Sequence, residues 1–331
     1  MLIIVIIKKI FNMKNRDIAL IVVFNHRYDK NLPVLEEMYR SRFSNRFYLV
    51  PFYDGDMENV IPVYGRSIFF ESYIAQGFNC FYEKDFKHYL FVADDMIIHP
   101  EINEDNYKDY FEVNDNDSFI PRLMPLHTAG KFWLGTLAAF CYRKKQKYIE
   151  ADNELPSYDK ALEKMHNQGL EIRDLTRGEV FGPMTLNIKS LVNKARLAIR
   201  IMTFFRNPLK KRYKLNYPMV GSYSDIALVS SDCIKDFSHY CGVFGATCLF
   251  AEIAIPTALV LASKHKIVTE EKMKHSGMSY WHGPENVFWY SQESDITTLE
   301  KRFKNLDDIF NNFPDNYLYL PPVKLSKWLK K

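Results

Sequence analysis

Two adjacent carboxylates, Asp94 and Asp95, close the apolar run Tyr89 to Ala93, and a second short apolar run, Met96 to Ile98, follows before His99-Pro100. An apolar run of that length bounded by turn signals reads as a buried strand. Two carboxylates at the end of such a strand are expensive to leave unpaired and repel each other, so positive charge belongs beside them. In an oxygen-rich site that charge is often Mg2+ or Mn2+ bridging to a substrate phosphate. The plainer alternative is a turn or helix cap, both of which favour Asp.

Other residues carry candidate chemistry. Asn25-His26-Arg27 form a polar tip after the apolar run Asp17 to Phe24. Doubly wound folds bind ligands beyond the carboxyl ends of their strands, which makes these three candidate nucleotide contacts; a solvated turn is the alternative. Asp225 opens the apolar run Ile226 to Val229 and is placed to lie at the mouth of a cleft. Glu252 is the only charge in Ala246 to Ser263, an apolar segment read as helix. A carboxylate there calls for a partner, and an Arg or His across the core is the structural alternative to catalysis. Pro256 removes the backbone hydrogen bond to the Glu252 carbonyl, so the helix is expected to bend or restart at Pro256. His275, in His275-Ser-Gly277-Met-Ser-Tyr-Trp281, offers an imidazole that suits Mn2+, or else belongs to a loop with an aromatic anchor.

The elements that must position these groups follow from periodicity. Asp17 to Phe24 and Phe47 to Phe52 read as strands, Asn31 to Arg42 and Ser67 to Tyr82 as helices, and Tyr89 to Ala93 as the third strand. This alternation implies an α/β fold with a mostly parallel sheet and helical crossovers. Glu101 to Asp117 reads as a surface helix and loop, Ser118 to Arg122 as a short strand, and Val220 to Asp232 as a return to strand. No G-x-G-x-x-G follows the first strand and no P-loop lysine motif occurs, which disfavours dinucleotide dehydrogenases and P-loop enzymes.

A hydrophobic strand ending in an Asp-containing triplet, downstream of an Ile-Ala-Leu-Ile-Val-Val strand, resembles the GT-A glycosyltransferases. The triplet here is Ala93-Asp94-Asp95; its first position departs from the family's Asp-x-Asp, which bears on any ribose contact made there and leaves the metal contact at Asp95. The resemblance implies a GT-A-like sheet flanked by helices, with a helical insertion. It implies Mn2+ or Mg2+ at Asp95, completed by His275, although the His275 stretch keeps only His275, Gly277 and Trp281 of the retaining-enzyme motif. It implies nucleotide contacts at Asp94 and at Asp54, which ends the second strand. It also implies a sugar contact at Asp225 and a catalytic base at Glu252 if the enzyme inverts. The donor would be a nucleotide-diphosphate sugar and the acceptor a saccharide or lipid-linked saccharide. A non-catalytic membrane-surface scaffold on a degenerate GT-A fold, or another metal-dependent phosphoryl-transfer enzyme, are the alternatives.

The 331 residues suffice for a sizeable core, and five scattered cysteines without paired spacing read as reduced thiols in a cytoplasmic protein. Lys189 to Lys214 holds nine Lys or Arg and no acid, interleaved with apolar residues, which suits an anionic membrane surface or a lipid-linked acceptor. No nucleic-acid motif accompanies the run, so nucleic acid is not expected as a partner. The expected organisation is an extension over 1–13, a nucleotide-sugar-binding half over 14–150, a basic helical insertion over 151–218 and an acceptor-side half over 219–331.

Overall fold

The computed structural model describes residues 17–129, 133–181, 198, 199, 201, 202, 211–277, 303–320, 323 and 325. The expected extension over 1–13, most of the basic stretch Lys189 to Lys214, and Trp281 lie outside the described residues.

A seven-stranded sheet organises the chain. In chain order its strands are β1 (Ile18–Val23), β2 (Arg46–Pro51), β3 (Val60–Val63), β4 (His88–Ala93), β5 (Ser118–Phe119), β6 (Ile226–Ser230) and β7 (Ile267–Val268). In space they run β7-β5-β6-β4-β1-β2-β3. Strand β1 is parallel to β2 and β4, β2 to β3, and β5 to β7, whereas β6 is antiparallel to both β4 and β5. The fold is therefore α/β, with a mostly parallel sheet flanked by helices.

All six residues of β1 are buried, because this strand has neighbours on both sides and cover on both faces. Ala19, Ile21 and Val23 join one core layer, and Ile18, Leu20 and Val22 the other, as the two-residue period of a strand requires. The first layer is closed by α2 (Glu71–Phe81), α3 (Leu134–Cys141), α4 (Tyr158–Asn167), α5 (Ile234–Ala246) and α6 (Ala251–Ala262). The second is closed by α1 (Leu32–Tyr39), residues 96–113 and the described part of 303–325. Helix α4 falls inside the expected basic insertion, yet its Ala161 and Met165 enter the same core layer as the rest of the chain.

Several sequence expectations need correction. Strand β3 was not anticipated, since Pro62 interrupts its apolar pattern; it forms at the sheet edge, where a missing N–H is tolerated, and Pro62 is exposed. The segment Glu101 to Asp117 is not merely a surface element: Tyr107 and Phe111 are fully buried. Tyr107 donates its hydroxyl proton to Nδ1 of buried His88 at 2.9 Å, and His88 Nε2 bonds the Asp117 carbonyl at 3.0 Å. Burial drives the His88 pKa down to about 4, so the imidazole stays neutral and ties this segment to the start of β4.

The helix does not restart at Pro256. The helical break falls earlier, between α5 and α6, where Cys248 adopts a left-handed φ of 58° and the Leu249 N–H returns to the Phe244 carbonyl at 3.0 Å. Pro256 lies within α6, and the Glu252 carbonyl it leaves unbonded accepts the Ser222 N–H at 3.0 Å.

Among the described residues no helix is long and apolar enough to cross a membrane.

Helices α2 and α5 cross at small residues. A Cβ on Gly245 would stand 2.5 Å from Ser72 Cβ and 3.1 Å from its Cα, and one on Gly242 2.9 Å from Ala75 Cβ. Gly245→Ala must force the helices apart and should destabilise the protein by about 1–3 kcal/mol, as overpacking does. Gly178→Ala, where nothing lies within 4 Å, should be neutral or slightly stabilising. Urea denaturation of the two variants checks this; equal midpoints would mean that the crossing is not tight.

Candidate functional site

The carboxylate pair sits where the parallel run of the sheet gives way to an antiparallel strand. The Asp94 N–H donates to the Val23 carbonyl at 3.1 Å, and the Ala93 N–H to the Asp225 carbonyl at 2.8 Å. The carboxyl end of β4 is thus bracketed by the end of β1 on one side and the start of β6 on the other. Because β6 runs the opposite way, its first residues fall at the same end of the sheet as the last residues of β4. Asp225 reaches the Asp pair for that reason, although 130 residues separate them in the chain.

Glu252 arrives by a different route. Its carbonyl holds the Ser222 N–H, and the Val220 N–H donates to Thr257 Oγ1 at 3.2 Å, so α6 is stapled to the segment that leads into Asp225. One carboxylate oxygen of Glu252, Oε2, is buried without a hydrogen-bond partner, and no ion pair meets Glu252 among the described residues. The expected structural alternative, an Arg or His across the core, is not found there.

Electrostatics follow from this crowding. Burial raises the Asp94 pKa to about 7, with Asp225 adding to the rise; the Asn31 amide, whose Nδ2 donates to Asp94 Oδ2 at 3.4 Å, and the Asn25 backbone oppose it. Burial likewise raises Asp225, and burial followed by the charge of Asp225 raises Glu252 well above the usual carboxylate range. Buried Tyr223 lies beside Asp225 and Asp95, and burial first, then those charges, push its ionisation up. Its ring stacks on Tyr319 at 6.1 Å and 18°, and the Tyr319 hydroxyl donates to Glu270 Oε1 at 2.5 Å.

A second group lines the ends of β1 to β3. Arg27 pairs with Asp54, after β2, and with Asp29 at 3.0 Å. The His26 ring meets Tyr28 edge-on at 5.7 Å. Phe52 holds a left-handed φ of 55°, unusual for an aromatic residue, and this turns its exposed ring edge-on to Tyr64 at 5.6 Å. Asn25, His26, Arg27 and Asp54 are therefore assembled at one edge of the sheet, with Asn25 joining them to Asp94.

His275 is placed elsewhere along the second core layer. Ile97–Ile98 pairs antiparallel with Tyr319–Leu320; the Asp95 carbonyl faces the Val323 N–H at one end of this pairing, and the Ser276 carbonyl accepts the Leu318 N–H toward the other. The His275 ring packs on Tyr110 at 5.2 Å beside His99, in an open cavity of about 500 Å³, and its Nδ1 is buried without a hydrogen-bond partner.

Among the described residues no three His, Cys, Asp or Glu side chains form a ready group for a metal ion. The donors near the Asp pair are carboxylate oxygens, and Mg2+-like ions commonly take only one or two protein carboxylates, filling the remaining positions with water and substrate phosphate. The set fits a hard cation that arrives with its ligand.

Phe52, Tyr64, Asn31, Tyr223 and Tyr319 escaped the sequence reading. Phe52 could have been found as an aromatic immediately after a strand, but Asn31 and Tyr319 carry no local signal. No protein-family model matches the chain, and no curated protein matches it.

In the folded protein Asp94 prefers its neutral form, whereas in the unfolded chain it ionises near pH 4. Its contribution is fully present below that pH and is lost as pH rises through about 7, with a slope of up to about 1.4 kcal/mol per pH unit. Asp94→Asn should remove this slope and gain on the wild type from pH 4.5 to pH 8 in metal-free denaturation experiments. Parallel curves for the two proteins would mean that Asp94 does not carry the proton.

Proposed function

We propose that the protein is a glycosyltransferase of the GT-A type, moving a sugar from a nucleotide-diphosphate donor to a saccharide or lipid-linked acceptor. The observation that carries this reading is the convergence of Asp94, Asp95, Asp225 and Glu252 around the carboxyl end of β4, beside the polar and aromatic edge formed by Asn25 to Arg27, Asp54, Phe52 and Tyr64. In open α/β sheets that crevice is where ligands bind.

In this reading Phe52 and Tyr64 offer faces for the base. Asn25, His26, Arg27 and Asp54 contact the nucleotide, and Asp94 stands between nucleotide and sugar. Asp95 holds Mn2+ or Mg2+, an ion that supplies charge neutralisation at the departing diphosphate. Tyr223 and Tyr319, both buried beside Asp225, would pack near the sugar, and Asp225 would receive a sugar hydroxyl. Glu252 takes the proton of the attacking acceptor hydroxyl in an inverting transfer. Burial and the charge of Asp225 raise its proton affinity, and positive charge brought by a donor would lower it. His275 belongs to the neighbouring cavity and reaches the centre only if the loop that carries it moves with the ligand.

The departure at Ala93 favours a second reading, a scaffold that retains the pocket without turnover. A thermal-shift series with UDP, GDP and their sugars, with and without Mn2+, separates the readings. Ligand binding raises the folded state's stability by mass action, about 2.7 kcal/mol at a hundredfold excess over Kd. Asp95→Ala should lose the Mn2+-dependent part of that shift while unfolding at the wild-type temperature without ligand. Glu252→Gln should keep the shift and lose transfer by a factor of roughly 100 or more. An Asp95→Ala protein that binds as the wild type does would sink the metal assignment, and unchanged turnover in Glu252→Gln would return Glu252 to a structural role.

A further inference from the structure

A cleft of about 1460 Å³ runs along the outer edge of the sheet, between α4 and the β7 edge strand. It is larger than the usual pocket for a small ligand. Among the described residues its wall carries six Lys or Arg side chains, Arg122, Lys160, Lys164, Lys264, Lys266 and Lys272, against three glutamates. One of those glutamates, Glu112, already accepts the Lys274 N–H at 2.7 Å. The basic residues come from two sides, from α4 and from the segment around β7; Lys264 Nζ donates to the Asp232 carbonyl at 3.2 Å and Lys164 Nζ to the Ser263 carbonyl at 3.5 Å. This basic wall is separate from the stretch Lys189 to Lys214.

Three kinds of anionic or extended partner can be weighed against this wall. A peptide adding to the sheet edge is disfavoured, because Gln168 caps the edge: its Oε1 accepts the Ile267 N–H at 3.2 Å and its Nε2 donates to the His265 carbonyl at 2.9 Å. Single-stranded nucleic acid is disfavoured, because no described lining residue is Phe, Tyr or Trp and bases have no ring to stack on. A bilayer presents a broad surface and meets a concave wall poorly. A flexible chain with regularly spaced carboxylates meets the opposed lysines without needing stacking.

We propose that this cleft binds an anionic saccharide chain, one bearing uronate carboxylates. A series of side-chain and backbone contacts links the cleft wall to the carboxylate centre. The Glu270 N–H donates to the Pro121 carbonyl at 3.1 Å, next to Arg122, and Glu270 holds Tyr319, which stacks on Tyr223 beside Asp225. Binding in the cleft stands independently of the transferase reading; the assignment of the bound chain as the acceptor rests on it.

The test uses the full chain and an oligogalacturonate of about a dozen residues as probe, with dextran, poly(U) and phosphatidylglycerol vesicles alongside. Oligogalacturonate should bind with an affinity that falls steeply with salt, and dextran should not. Exposed lysines are replaced in Lys160→Gln/Lys264→Gln/Lys266→Gln/Lys272→Gln, which should weaken that binding about tenfold or more; a control, Arg40→Gln/Lys84→Gln, removes exposed charge elsewhere and should not. Circular dichroism and the Mn2+-dependent nucleotide shift should be unchanged in the fourfold variant, which keeps the outcome distinct from that of the donor site. If the fourfold variant misfolds, the pairs Lys160→Gln/Lys272→Gln and Lys264→Gln/Lys266→Gln are measured separately. Absence of oligogalacturonate binding, equal loss in the control, or lysine-dependent binding of poly(U) or vesicles in its place would overturn the proposal.

Discussion

The candidate site depends on a cluster of carboxyl groups that burial strips of hydration and that no ion pair meets among the described residues. Asp94, Asp225 and Glu252 each lose hydration, and Asp225 raises the proton affinity of the other two. A buried, uncompensated carboxylate is destabilising, and a fold selected for stability alone would replace it with an apolar side chain. Their burial at the end of the central strands is what motivates the proposal of a ligand that brings positive charge, which would also stabilise the folded state.

The scaffold holds these groups in place through backbone bonds more than through side chains. Strand β6 runs against β4, so the entry to β6 and the exit from β4 share one end of the sheet. Pro256 frees the Glu252 carbonyl, and the Ser222 N–H fills it, which ties the α6 backbone to the turn before Asp225. The proline thus fixes a long-range bond where the sequence suggested a bend. The tight crossing of α2 and α5 at Gly242 and Gly245 keeps the same helical layer close to the sheet.

Charge is partitioned across the molecule. The centre is acidic, while the cleft along β7 is basic, and the formal net charge of +4 says nothing of either. An anionic diphosphate with its cation and an anionic saccharide would meet opposite environments, each suited to its own charge. The proposed donor and acceptor would be kept apart by electrostatics as well as by position.

The sequence by itself determined the class of fold and the core of the candidate site. The apolar runs of β1 and β4 and the helical spacing between them required a mostly parallel sheet, and Asp94-Asp95 at a strand end marked the place of the candidate site. These signals are local, because each depends on residues within one element. The tertiary structure decided what depends on crossing between elements. It set Asp225 beside Asp94 through an antiparallel strand, left Glu252 with no ion pair among the described residues, and buried Tyr107 under His88. It placed β3 at an edge where Pro62 is tolerated, and seated His275 beside His99 and Tyr110. No spacing in the chain encodes these neighbours, because hydrogen-bond register and packing bring together residues of different elements, Asp94 and Asp225 or His99 and His275 among them more than a hundred positions apart.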